Sequence, residues 1–299
     1  MTVSAPDLLA LAAAACWAIT GFISASASSH LGSLAFTRWR MLLVALMLWP
    51  VVLLRGTLDG MTAAQVGTLA LSGMVGIFIG DTALFGALNR LGPRRTSVVF
   101  ATHALFSALL GALVLGERMG AQAALGGVLV MAGVMTAVLF GRHKDEQHAW
   151  ESQQSHWQAG VGLGLLAALC QAAGALIAKP VMMQGIDPVA ATSVRVSASC
   201  VAQFALLWSG YAAARAQHPL SAAVLQRVGL SGLIGMCVGM SLILLALEHG
   251  DVGTVGILSS VTPVLVLPLL WLHLGRAPAT GAWLGALLTV AGTAVMVSR

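Results

Sequence analysis

Leu71-Ser72-Gly73-Met74-Val75-Gly76-Ile77-Phe78-Ile79-Gly80 returns later in the chain as Leu230-Ser231-Gly232-Leu233-Ile234-Gly235-Met236-Cys237-Val238-Gly239. The register continues without a gap. Ala87-Leu88 falls on Ala246-Leu247, Leu115-Gly116 on Leu274-Gly275, Gly126 on Gly285, and Ala132-Gly133 on Ala291-Gly292. Nearer the start of each half the match is weaker, with Cys16 on Cys170, Thr37 on Thr192 and Arg40 on Arg195. Chance similarity between two Gly- and Ala-rich stretches does not hold one register over three helices. The chain is read as a duplication: a first repeat over 1–141, a polar linker over 142–157 and a second repeat over 158–299.

Composition sets the solvent. Of 299 residues 58% are hydrophobic and 8% are charged, where soluble domains carry about 25% charged residues. So few charges cannot cover a water-facing surface of this size, and mean hydropathy is +0.91. In hydrocarbon the backbone must satisfy its own polar groups, as helices or as a closed barrel. The apolar runs are about 20 residues long and do not alternate as barrel strands do. The expected fold is all-α, a polytopic membrane protein.

Ten spans are expected: 7–27, 34–54, 66–88, 95–115 and 121–140, then 160–179, ended by Pro180, with 189–211, 228–247, 253–272 and 280–297. The apolar start is read as an uncleaved first helix, because no Lys or Arg precedes it and a signal peptide needs a positive n-region. Five helices per repeat is an odd number, so the halves enter the membrane from opposite sides. Inverted repeats are a common build of secondary transporters, with the substrate site near the midplane between the halves. Gly73, Gly76 and Gly80, like Gly232, Gly235 and Gly239, share one helical face, where small residues let backbones approach closely.

The run Leu115-Gly116-Glu117-Arg118, then Gly126 and Ala132-Gly133, within ten helices duplicated five plus five, resembles the EamA branch of the drug/metabolite transporter superfamily. The resemblance spans nearly the whole chain except the linker and is strongest from Gly80-Asp81 to Gly133. It implies export or exchange of small, amino-acid-like or amphipathic metabolites across a bacterial-type inner membrane, with both termini cytoplasmic. The second half departs from the pattern: Gly275-Arg276 stands where the family often has Gly-Glu. Thr262-Pro263 keeps a proline that His103-Ala104 lacks.

Polar groups at membrane depth are costly and are functional candidates by default. Asp81 is the one carboxylate expected well inside a helix. It is a candidate coupling or substrate-amine site, or else a structural partner for an arginine. His103, in mid-helix, suits proton coupling because imidazole titrates near neutral pH, or it is a satisfied core histidine. Phe100 and Ser107 share its face at i−3 and i+4. Phe78, Trp17, Gln171 and Thr262 complete the candidate substrate or coupling set. Trp17 reads as a stacking surface or simple packing. Arg38, Arg40 and Arg195 could pair with a substrate carboxylate, but their places near helix ends favour snorkelling to the interface. Trp49, Trp208 and Trp283 read as interface anchors, Glu117 as a helix-end contact, and Pro263 and Pro268 as kink sites.

Other classes find little support. No phosphate-binding loop and no His-Glu-x-x-His is present, and an intramembrane aspartyl protease would want a second acid beside Asp81. The four cysteines lack metal-like spacing, so neither metal nor cofactor is expected. The net charge of +5 is spread over loops, which does not suit nucleic acid. The expected partners are the bilayer, a small-molecule substrate and protons as a candidate coupling ion, with the chain a monomer. An uncoupled facilitator of the same fold is the alternative. Loop charges conflict with the family's orientation. Arg90, Arg94, Arg95, Arg142, Lys144, Arg215, Arg227 and Arg276 follow odd-numbered helices, against Arg55, Arg118 and Lys179 on the other side and Arg299 at the C-terminus. By the positive-inside rule that count puts the termini outside.

Overall fold

The computed structural model describes residues 4–58, 60–140, 157–274 and 279–297. The linker expected at 142–157 lies outside the described residues up to 156, as do Gly275-Arg276 and Arg299. Among the described residues the chain is helical and has no strand. The helices are α1 (Ala5–Leu31), α2 (Ser33–Arg55), α3 (Ala63–Gly73), α4 (Gly80–Ala101), α5 (His103–Leu115), α6 (Ala121–Phe140) and α7 (Trp157–Met182). Then follow α8 (Pro188–Trp208), α9 (Ala222–Gly232), α10 (Ser241–His249), α11 (Val252–Ser259), α12 (Thr262–Leu274) and α13 (Thr280–Val297).

Helix starts follow local chemistry. Ser4 caps α1, with Pro6 in its first turn. Thr62 and Gln65 form a reciprocal capping box on α3. The Asp187 carboxylate accepts from the amides of Val189 and Ala190 at 2.9 and 2.8 Å, ahead of α8. Each side chain satisfies amides that an α-helix leaves open at its first turn.

Among the described residues seven helical spans are long and apolar enough to cross a membrane, and α1 makes an eighth if its 50° bend between Gly21 and Ile23 is counted within one span. Two expected spans are shorter than that, at Ala121–Ala137 and Val252–Pro268. A further expectation needs correcting. Pro180 does not stop its helix: α7 continues to Met182, because a proline in the last turn frees a carbonyl close to the helix end. The third and eighth expected helices, at 66–88 and 228–247, each contain a π-helical segment, Met74–Ile79 and Leu233–Met240. These segments fall on matching positions of the repeated motif.

The fourth and ninth expected helices break in mid-span. α4 gives way to α5 at Thr102, and α11 to α12 around Ser260 and Val261. The break at Thr102 has no proline beside it, so Pro263 is not needed to make one; it sits in the first turn of α12, where an N–H is dispensable. Hydroxyls add a second bond at each break, to a carbonyl that also accepts a backbone N–H. Thr102 Oγ1 donates to Val99 at 2.6 Å and Ser260 Oγ to Ile257 at 2.7 Å. Such pairing is what makes irregular backbone tolerable at membrane depth. Further back in α4, Gly92 stands at φ 76° and ψ 168° and separates Gly80–Leu91 from the run that begins at Arg95.

The two glycine faces pack crosswise. α3 and Met74–Ile79 lie on α7 and α8, whereas α9 and Leu233–Met240 lie on α1 and α2. Ser72 Oγ donates to the Gly174 carbonyl on α7 at 2.6 Å, and the repeated Ser231 meets Ser24 on α1 at 2.8 Å. A Cβ on Gly76 would meet Arg195 and Gly174, and one on Gly235 would meet Thr20 and Arg40. Elsewhere Gly126 abuts Gly292, and Gly133 abuts Gly285. Numbers rise along α6 as they fall along α13, so these two helices run antiparallel.

Candidate functional site

Two polar centres lie inside the bundle. The first is a charge cluster. Arg40 of α2, 4% exposed, donates from Nη1 to Asp81 Oδ2 of α4 at 3.1 Å. The Arg40 guanidinium also lies 5.5 Å from the Phe85 ring centre and 6.0 Å from that of Phe36. Arg195 of α8 is 2% exposed, and its Nη1 contacts Met240 Sδ at 3.2 Å. Beside Asp81, Gln203 Nε2 donates to Thr82 Oγ1 at 2.9 Å.

Snorkelling is therefore the wrong account of the arginines. Arg38 is also buried, with Nη1 bonded to the Ala214 carbonyl and its guanidinium 5.9 Å from the Phe204 ring centre. The reason lies in helix geometry. Arg38, Arg40 and Arg195 point from α2 and α8 toward partners on other helices, and a buried guanidinium keeps such a place when it is paired or bonded.

The second centre is a narrow cavity lined by His103 and Ser107 of α5, Gln171 of α7, Ile243 and Leu247 of α10 and Ser259 of α11. It has room for about one water molecule. His103 is 3% exposed, its ring lies 5.0 Å from that of Phe100, and its Nδ1 has no hydrogen-bond partner. His103 and Ser107, expected on one helix face, thus share a cavity with Gln171 of another helix, while Phe100 of that same face does not line it. Ser259 was not foreseen, since a serine in an apolar run reads as packing.

Other candidates stand apart. Trp17 Nε1 donates to the Gly235 carbonyl at 3.0 Å, so its indole locks α1 to the π segment. Thr262 Oγ1 donates to Ser259 at 2.9 Å and lies 3.3 Å from the Ala14 carbonyl. Phe78 is half-buried on Met74–Ile79, and Pro268 lies exposed within α12. Trp208 is exposed and Trp283 half-exposed, edge-on to Trp271. Trp49 is no free anchor, because its Nε1 donates to Ser197 at 2.8 Å.

One end of the bundle is latched. Glu117, just after α5, accepts from the amides of Val252 and Gly253 at 2.9 and 3.2 Å, and so caps α11. This is the helix-end contact expected of it. Lys179 was counted as a loop charge, yet it is 6% exposed. Its Nζ donates to the carbonyls of Leu247 and Gly250 at 2.8 and 2.9 Å. The amine closes the C-terminal end of α10, where a cation is favoured.

No group of three or more His, Cys, Asp or Glu arranged to hold a metal occurs among the described residues. No curated protein matches the chain. A solved structure described only as "Crystal structure of protein" is similar over 98% of this chain and 96% of its own, with a TM-score of 0.76 and 18% identity. At that identity the likeness shows the fold alone. The EamA-like transporter family model matches twice, over residues 4–139 and 158–298. These two matches cover nearly the whole sequence, and the chain belongs to the EamA-like transporter family, a family of transporters and not of enzymes.

Proposed function

We propose that the chain is a secondary transporter that exports or exchanges a small amphipathic metabolite by alternating access. Its ten helices would form two inverted repeats, 1–141 and 158–299, in a bacterial-type inner membrane. The observation that carries this reading is the crosswise packing. The glycine face of each half rests on the first two helices of the other, and each face meets a buried arginine, Arg195 or Arg40. Antiparallel α6 and α13, and irregular segments at matching positions, support inversion as well. A substrate site at such a junction is the arrangement seen when one repeat rocks against the other.

The cavity between α5, α7, α10 and α11 supplies a mostly apolar wall with polar handles, as small-molecule sites do. It is too narrow for a metabolite, so the described arrangement is read as an occluded state. His103 and Asp81 are the groups through which protons would couple. The termini are placed in the cytoplasm, as the family resemblance implies. The loop arginines argue the other way, and burial of Lys179 removes one charge from their opponents. A C-terminal reporter active only outside the cytoplasm would reverse this placement.

The test is counterflow in proteoliposomes with a broad panel of amino acids and related solutes. Exchange of at least one solute, driven further by an imposed proton gradient, is expected. Exchange indifferent to that gradient would favour an uncoupled facilitator.

A further inference from the structure

The two halves carry the same arginine but not the same partner for it. Arg40 and Arg195 occupy matching positions, as do Asp81 and Met240. The contacts follow that match: Arg40 Nη1 meets Asp81 Oδ2, and Arg195 Nη1 meets Met240 Sδ. A thioether is a weak acceptor and carries no charge. The junction therefore buries two guanidinium groups against one carboxylate. The direct bond of Asp81 is to Arg40, and among the described residues Arg195 makes no ion pair. The Nε atoms of both arginines lack partners, but only Arg195 also lacks a carboxylate.

An unbalanced cation inside a membrane protein is costly and marks a substrate or ion pathway. Here the position of the missing counter-ion is known from the other copy. It is the place of Met240, an unbranched side chain able to swing aside. Gly76 lets the Arg195 guanidinium lie close against the π segment: a Cβ there would stand 3.1 Å from Nη2. The guanidinium offers a planar fork suited to an oxyanion, whether carboxylate or phosphate.

We propose that the transported solute bears an oxyanion and that Arg195 binds it, in the position which Asp81 fills beside Arg40. This rests on the transporter reading above and narrows its substrate class. The solute would bring the charge that balances the junction, so the occupied state would be favoured over the empty one.

The experiment uses the purified full-length chain and matched pairs of solutes. Glutamate is set against glutamine, indole-3-acetate against its amide, and glycerol 3-phosphate against glycerol. Melting temperature and proteoliposome counterflow are read for each. Added anionic groups should raise the melting temperature and drive counterflow, and the pairs tell carboxylate from phosphate. Arg195→Gln should weaken the anion response about tenfold or more, as loss of a charge-assisted pair does. Met240→Glu keeps the arginine and gives it a carboxylate of its own. It should block anion transport while melting no lower than the wild type without solute. Should neutral members act as well as anionic ones, or Met240→Glu transport anions at the wild-type rate, the proposal fails and the transporter reading stands. Should no solute of any charge move, both fail together.

Discussion

Asp81 Oδ2 and Arg40 Nη1, on α4 and α2, are 3.1 Å apart and both lie inside the bundle. This buried ion pair ties the start of α4, just after the π segment of the first half, to the helix against which the second half's glycine face packs. Its value to the fold is asymmetric. Removing one partner leaves an uncompensated charge in low dielectric, at a cost of about 3–5 kcal/mol. Asp81→Asn is therefore expected to lower the melting temperature sharply in detergent. Replacing both, as Arg40→Met with Asp81→Leu, should recover much of the loss. A double variant no more stable than the single one would show that the pair is not the source of the effect.

The glycine faces give a graded test. A Cβ on Gly235 would stand 2.8 Å from two Thr20 atoms and 2.9 Å from Arg40 Nη2. Thr20 cannot easily yield, because its hydroxyl is bonded to the Cys16 carbonyl at 2.8 Å. A Cβ on Gly76 meets its nearest atom at 3.1 Å, on the end of the Arg195 side chain. Overpacking costs about 1–3 kcal/mol. Gly235→Ala should therefore melt lower than Gly76→Ala, and the reverse order would overturn this account of the junction.

Much of this was legible in the residues. The repeat, the two glycine faces and the helices at 121–140 and 280–297 follow from periodicity and register. What escaped were features that depend on a neighbour. The partners of Arg40 and Arg195 lie on α4 and on the π segment Leu233–Met240, which no local pattern reports. The π segments preserve apolar character and so leave no mark in hydropathy. Lys179 reads as a loop charge because Pro180 follows it, and only the carbonyls of Leu247 and Gly250 explain its burial. His103, Ser107 and Gln171 were each visible, but their shared cavity required the packing of α5 on α7 and α11.

Glu117 offers a local measurement. Its carboxylate accepts from the two amides that open α11. Glu117→Ala should cost about 0.5–2 kcal/mol, the usual range for a lost N-terminal cap. The loss should be concentrated in faster hydrogen exchange at Val252 and Gly253. Unchanged exchange at those amides would mean that the cap is not what orders the start of α11.

Gln171 tests the cavity itself. It stands on α7 among His103, Ser107 and Ser259, and it replaces the Trp17 of the matching position in the first half. Gln171→Leu keeps the side chain's bulk and removes its donor and acceptor. If the cavity opens into the substrate path, the amide holds the solute in its bound state and the change weakens that binding. KM should then rise about tenfold with little change in maximal rate, the pattern of a lost uniform contact. Because the Gln171 side chain bonds to no other described residue, the melting temperature should move little. A large fall in stability with unchanged KM would make Gln171 a packing residue and shift the substrate path toward the arginine junction.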